Sequence, residues 1–331
     1  MILQPAIIAL LVSSLLISLL VIYSAWHAFR IFRKWDIQSG SELQLELERR
    51  TYLVSTIVTY VLAFQILSLF LFIYTADKLC TLFTGAMCAA GTLAVNGYGY
   101  PVLILKILNF FLAGLWLVLN HVDGKAPDYP LVRRKYLLLL LIAPFLAGET
   151  ILQTSYFIGL KPDIITSCCG SLFSERGTSV AADIAAFPAA PVETAFFLTA
   201  SATVVAGVVF FAKGKGGYLF AALNAVLFFV TAASMLSFIP LYVYELPTHH
   251  CPFCLLQREY HSIGYVLYAT LFAGTLSGMG VGILAPFRSV LSLAAPLPAL
   301  QKKLALLSVV LVAALIALVT AAMLTSNLKL A

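Results

Sequence analysis

Residues 304–325 read LALLSVVLVAALIALVTAAMLT, an uninterrupted apolar stretch with no charged side chain. About 20 consecutive apolar residues wound into a helix cross the hydrocarbon core of a bilayer. Seven further stretches of this kind lie at 5–29, 52–76, 101–121, 136–158, 193–212, 218–244 and 259–285. The 331-residue chain is 62% hydrophobic and 10% charged, with a mean hydropathy of +1.00. That is too little charge to cover the surface of a water-soluble domain of this size. The expectation is an all-α, polytopic integral membrane helical bundle of about eight transmembrane helices, forming one membrane domain over 1–331.

Basic residues orient the spans. Arg30, Arg33, Lys34, Arg49 and Arg50 follow the first span, and Lys125, Arg133, Arg134 and Lys135 follow the third. Lys213 and Lys215 follow the fifth; Arg288, Lys302 and Lys303 follow the seventh. The alternate loops hold only Lys78, Lys161, Arg176 and Arg258. The positive-inside rule makes the basic loops cytoplasmic and leaves both termini non-cytoplasmic. The net charge of +6 is mostly this topology signal, and the absence of a single basic patch speaks against nucleic acid as a partner. The first span lacks a basic leader and a small-residue cleavage site, so it reads as a membrane helix and not as a signal peptide. No lipidation signal is read.

The six cysteines form three pairs: Cys80 and Cys88, Cys168 and Cys169, Cys251 and Cys254. All three pairs fall in loops assigned to the outer side, where an oxidising compartment permits disulfides. Six cysteines allow 15 full pairings, so connectivity is open. The outer loop at 77–100 follows its cysteines with Gly91, Gly97, Gly99 and Pro101, a turn-rich run. The outer loop at 159–192 is the longest and contains Cys168-Cys169-Gly170.

Cys251-Pro252-Phe253-Cys254 stands where the short polar loop ending in Thr248-His249-His250 meets an apolar stretch. Thiols near a helix start have a stabilised thiolate, the species that begins disulfide exchange. Thr248 is placed to cap that helix and Pro252 suits its first turn. On a continuous helix Cys254, Arg258 and His261 share one face at i, i+4 and i+7. Arg258 then favours the thiolate, or simply anchors at the headgroups. His261 can carry a proton, or be a structural histidine. His250 is placed to activate Cys251. A purely structural Cys251–Cys254 disulfide closes too short a loop to stabilise much. A metal site assembled from Cys168, Cys169, His249 and His250, alone or with the dithiol, is the alternative use of these ligands. Haem attachment is not expected, because Leu255 stands where a histidine is required.

Cys251-x-x-Cys254-x-x-Gln257-Arg258 at the outer edge of a membrane helix resembles the dithiol of the bacterial disulfide bond formation protein B family. Cys80-x7-Cys88, with Gly91, Leu93 and Gly99-Tyr100-Pro101, looks like the outer-loop cysteine pair of vitamin K epoxide reductases, a branch of the same superfamily. The resemblance implies a membrane thiol–disulfide oxidoreductase of the bacterial inner membrane with its cysteines on the periplasmic side. Electrons would pass from a periplasmic thiol/disulfide protein through Cys80 and Cys88 to Cys251 and Cys254, and on to a membrane quinone, ubiquinone or menaquinone. It implies Cys251 as the exchanging thiol, Cys254 as the one facing the quinone, and Gln257, Arg258 and His261 as quinone-binding. Both families are built on four helices, and Cys168-Cys169 matches neither pattern. The redox core is expected from 52–121 and 218–285, with the other spans available to a membrane partner subunit. Two readings of other classes stand beside this one: soft-metal (copper, mercury or zinc) binding or transport, and a non-catalytic membrane subunit stapled by disulfides.

Within the spans, Lys106 and Glu149 are ionisable residues at membrane depth, which marks them as functional candidates. Glu149 suits a proton path or a quinone contact, and an ion pair with Lys106 is the structural alternative. Leu137 to Leu141 are expected to face lipid.

Overall fold

The apolar stretches form helices because lipid offers backbone amides no partner, and only a helix satisfies them within its own segment. In the computed structural model, which describes residues 3–36, 39–161, 163–166, 183–184 and 187–328, eight helices are long and apolar enough to cross a membrane. There is no strand among the described residues. The chain is an all-α, multi-pass membrane protein, as the apolar pattern implies. The long helices are α1 (Pro5–Lys34), α2 (Glu42–Leu79), α4 (Gly99–Asp123), α5 (Val132–Ile158), α6 (Ala189–Lys213), α7 (Gly217–Ser234), α9 (Ile263–Leu284) and α10 (Pro296–Thr325). Two shorter helices among the described residues are α3 (Ala89–Leu93) and α8 (Ile239–Tyr244).

Two expected spans are shorter than the apolar pattern suggested. The stretch 218–244 breaks after Ser234, and Ile239–Tyr244 forms a separate helix that begins with Pro240 at its first turn. Proline lacks the amide that a continuing helix needs, but it fits a helix start. The stretch 259–285 becomes helical only at Ile263, because His261 and Ser262 adopt left-handed backbone angles, φ 55° and 54°. Consecutive left-handed residues cannot belong to a right-handed helix.

The chain divides into two compact units. The first comprises 1–75, 93–161 and 287–297, and contains α1, most of α2, α4 and α5. The second comprises 76–92, 162–286 and 298–331, and contains α3, α6 to α9 and most of α10.

Lipid tails are as apolar as leucine, so helix association within a membrane rests on close packing and interhelical hydrogen bonds. The first unit uses both. Val21, Val58, Trp116, Tyr136 and Leu139 meet in one buried cluster. Leu139 therefore lies inside, correcting the lipid-facing expectation, while Leu137 and Leu141 are exposed. Ser18 Oγ and Thr150 Oγ1 are 2.6 Å apart, Gln153 Nε2 donates to Leu10 O at 3.0 Å, and Trp116 Nε1 donates to Lys135 O at 2.9 Å. Lys106 and Glu149 are both buried and form an ion pair, Nζ to Oε1 at 2.6 Å. Gln65 Nε2 and Asn109 Nδ2 donate to the other carboxylate oxygen at 2.6 and 2.7 Å. The structural alternative for these two ions is the one realised.

The second unit packs through small residues. Gly274, Gly278 and Gly282 recur every fourth position of α9, a spacing that lets helices approach closely. A Cβ at Gly278 would lie 2.1 Å from Asn224 of α7, and one at Gly282 would lie 2.3 Å from Ala221 Cβ.

Candidate functional site: a buried cluster of three cysteines

Cys88 is delivered by a loop that only certain residues can form. Gly85 has φ +89°, and a Cβ there would sit 2.3 Å from Thr166 O. Thr166 N in turn donates to Thr84 O at 3.0 Å, tying this loop to the segment near 166. Asp77 and Cys80 precede the loop at the end of α2, and Cys88 leads directly into α3.

The dithiol segment does not form the expected helix start. Cys254–Leu256 and Arg258–Tyr260 are two short 3-10 turns separated by Gln257, whose backbone is extended. Thr248 therefore caps no helix at the dithiol, and Cys254, Arg258 and His261 do not share a helical face. The physical reason is the left-handed pair His261–Ser262, with Ser262 N donating to Gln257 O at 3.0 Å. Arg258 and His261 are exposed, whereas Cys251 and Cys254 are buried.

Side chains from three elements hold this segment. Tyr244 OH at the end of α8 donates to Cys251 O at 2.6 Å, and Tyr268 OH of α9 donates to Pro252 O at 2.9 Å. His250 Nδ1 lies 3.1 and 3.0 Å from the carbonyls of Leu236 and Ser237. Carbonyls only accept, so Nδ1 carries a proton and donates to them. His250 is thus a strut of this turn, a role beside the activating one expected for it. Gly264 is required where it stands, since a Cβ would come within 2.8 Å of the Leu255 carbonyl. Gln257 Nε2 donates to Met87 O at 2.6 Å and so ties the dithiol segment to the residue beside Cys88.

These restraints bring three sulfurs together. Cys88, Cys251 and Cys254 are buried, and their Sγ atoms all lie within 4.8 Å of one another. Cys88 Sγ and Cys251 Sγ are 3.5 Å apart, longer than the ~2.05 Å of a disulfide bond and close enough for one thiol to donate to the other. Cys80 is half-buried and stands outside the cluster. Cys168 and Cys169 lie outside the described residues.

His249 is half-buried with its ring 4.7 Å from that of Tyr244. Burial holds its pKa below the ordinary imidazole value; a Cys88 thiolate works against that shift and the His250 charge reinforces it. His249 is thereby favoured in its neutral form. Burial and then the charge of Cys254 push the Tyr260 hydroxyl up, so it stays a neutral donor. Tyr260 packs on Tyr244 with ring centroids 4.4 Å apart. Sequence reasoning overlooked Tyr244, Tyr260 and Tyr268. Their only signal was a concentration of tyrosine on either side of the dithiol.

Three thiols at these separations can exchange disulfides or, as thiolates, bind a soft metal ion. The fold and the cluster define a multi-pass helical membrane protein with a buried three-cysteine centre. No family model, curated protein or solved structure matches the chain.

Proposed function

We propose that the protein is a membrane thiol–disulfide oxidoreductase linked to a lipid-soluble quinone. It is read as a protein of the bacterial inner membrane with its cysteines on the periplasmic side and both termini non-cytoplasmic. The 3.5 Å separation of Cys88 and Cys251 carries this reading, because it joins two cysteine pairs that lie far apart in the chain. The likeness of the motifs to the disulfide bond formation protein B and vitamin K epoxide reductase families supports it. Those families are built on four helices, and the unit holding all four described cysteines itself has four long helices among its described residues.

The exchange balances within the chain. With Cys251–Cys254 oxidised, a Cys88 thiolate attacks Cys251 Sγ; the Cys88–Cys251 bond forms and Cys254 leaves as thiolate. Cys80 then attacks Cys88, closing Cys80–Cys88 and releasing Cys251. One disulfide has moved and two electrons now reside on the Cys251/Cys254 dithiol. His249, whose charge interacts with that of Cys88, is the candidate base for the proton that Cys88 gives up when it becomes the nucleophile. A periplasmic dithiol protein would reduce Cys80–Cys88 in the same way. A quinone would supply a two-electron, two-proton acceptor. The donor chemistry fits it, since Arg258, His261 and Gln257 follow Cys254 and each carries N–H groups suited to a carbonyl oxygen. Exposure of Arg258 and His261 leaves them accessible to such a group.

The same cluster also favours a second reading. Three buried sulfurs within 4.8 Å form a ready ligand set for a soft ion such as copper(I). Purified full-length protein assayed for dithiol-dependent quinone reduction separates the two. Activity that disappears in Cys254→Ser and in Cys88→Ser supports the oxidoreductase. Absence of turnover, with one equivalent of metal retained through three thiolates, replaces it with the metal-binding function.

A further inference from the structure

We propose that the first unit contains a binding site for a phosphate ester group, independent of the cysteines. A cavity of about 250 Å³ opens between the early turns of α2, the end of α4 and the start of α5. Its lining includes Thr51, Ser55 and Thr59 of α2, Asn120 of α4 and Lys135 of α5. Tyr52 and Tyr60 stand at its rim and are strongly exposed.

An inventory of protons defines the ligand. Thr59 Oγ1 donates to Ser55 O at 2.7 Å and accepts from Asn120 Nδ2 at 3.0 Å. Tyr136 OH donates to Thr51 O at 3.1 Å, so the 3.0 Å contact between Ser55 Oγ and Tyr136 OH uses the serine proton. Lys135 Nζ is buried and reaches Asn120 Oδ1 at 2.9 Å and Asp123 Oδ2 at 2.7 Å, which leaves a third N–H. Thr51 Oγ1 is buried and makes no hydrogen bond. An unpaired buried hydroxyl is a cost that a ligand removes. The donors left for a ligand include the Thr51 hydroxyl, the second N–H of Asn120 Nδ2 and the Lys135 ammonium. Lys135 is the one formal charge in the lining; Asp123, outside the lining, pairs with it through Oδ2 and accepts from Leu131 N through Oδ1 at 2.7 Å. A hydroxyl, an amide N–H and an ammonium lining one cavity suit an oxyanion.

The setting narrows the oxyanion to phosphate. Arg49 and Arg50 immediately precede Thr51, and Arg133 and Arg134 precede Lys135; they stand outside the cavity lining, Arg50 paired with Glu46 and Arg133 donating to Trp35 O, and make its surroundings basic. The cavity lies at the first turns of the apolar part of α2, with tyrosines at its mouth, the composition of a membrane–water boundary. Basic pockets between helices at this depth take lipid headgroups. A phosphodiester of an anionic lipid and a free phosphate share the recognised chemistry.

The test uses the full-length protein in neutral detergent, with native mass spectrometry and thermal unfolding as readouts. The probes are inorganic phosphate, short-chain phosphatidylglycerol, and a short-chain diacylglycerol without phosphate. Wild type should retain phosphatidylglycerol over diacylglycerol and unfold at a higher temperature with it. Retention of phosphate alone as well would identify a soluble ligand; retention only of the lipid would identify the headgroup. Thr51→Val keeps the shape and removes the donor, so it should stay folded and bind about tenfold more weakly. Thr51→Ser should restore binding. Equal retention by wild type and Thr51→Val, or no preference for either phosphate probe over diacylglycerol, overturns the proposal.

Discussion

Replacing Lys106 by methionine should destabilise the protein far more than replacing both Lys106 and Glu149. Lys106 Nζ lies 2.6 Å from Glu149 Oε1 and donates to Ser68 Oγ at 3.2 Å, and both ions are buried. At an effective dielectric constant of about 20, charges at that separation attract by about 6 kcal/mol. Each ion loses several kcal/mol of hydration on burial, so the intact pair is close to neutral for stability. Lys106→Met removes the attraction and leaves the carboxylate buried with only the Gln65 and Asn109 amides. The cost of such an orphaned charge is about 3–5 kcal/mol. Glu149→Gln in the same chain removes the charge and retains an oxygen for those amides, so the double variant should recover at least half of the loss. Reversible unfolding by sodium dodecyl sulfate in mixed micelles, followed by tryptophan fluorescence, measures both. A loss below about 1 kcal/mol in Lys106→Met would mean that Glu149 is not held as an uncompensated buried ion. A double variant weaker than the single would refute the charge argument outright.

Three shorter predictions concern the second unit. A chain retaining only Cys88 and Cys251 should form an intramolecular disulfide under mild oxidation, read by mass after thiol alkylation, whereas one retaining only Cys80 and Cys251 should close much more slowly. Gly278→Ala places a Cβ 2.1 Å from Asn224, which is held by Phe220 O at 2.8 Å and Ser308 Oγ at 3.0 Å. It should cost about 1–3 kcal/mol in the same unfolding assay, and Gly97→Ala, with nothing within 4 Å of its Cβ, should cost far less. Burial holds the folded pKa of His249 below the ordinary imidazole value of about 6.5, so the unfolded chain binds its proton first. The stability it contributes is present above about pH 6.5 and is lost as pH falls towards the folded pKa; His249→Asn should flatten that part of the stability profile, and an unchanged slope would remove His249 as the cause.

How legible the molecule was depends on the range over which each feature is specified. Span positions were readable because a run such as 304–325 meets the length and apolarity criteria within itself. The break after Ser234 had a local signal in Pro240, but the apolar pattern runs straight through it. The turn at His261–Ser262 had none, because neither residue is glycine and the left-handed pair is supported by contacts such as Ser262 N to Gln257 O. That one misreading moved Arg258 and His261 onto a helical face they do not occupy. The Lys106–Glu149 pair was foreseeable as a partnership because each ion needed one. The amides of Gln65 and Asn109 that complete it could not be assigned without the packing.

The cysteines pose a different problem, since spacing gives each pair and says nothing of the distance between pairs. The two were linked only through the family likeness, and eight spans argued against a frame built on four. The division into units changes the weight of that objection. Cys80, Cys88, Cys251 and Cys254 all fall in the unit that contains α6, α7, α9 and most of α10. The other four long helices form a unit with its own buried ions and its own polar cavity. The described cysteines of the proposed exchange therefore belong to one unit. It follows that mutations at Lys106, Glu149 or Thr51 should alter stability or ligand retention without changing the rate at which Cys88 and Cys251 exchange.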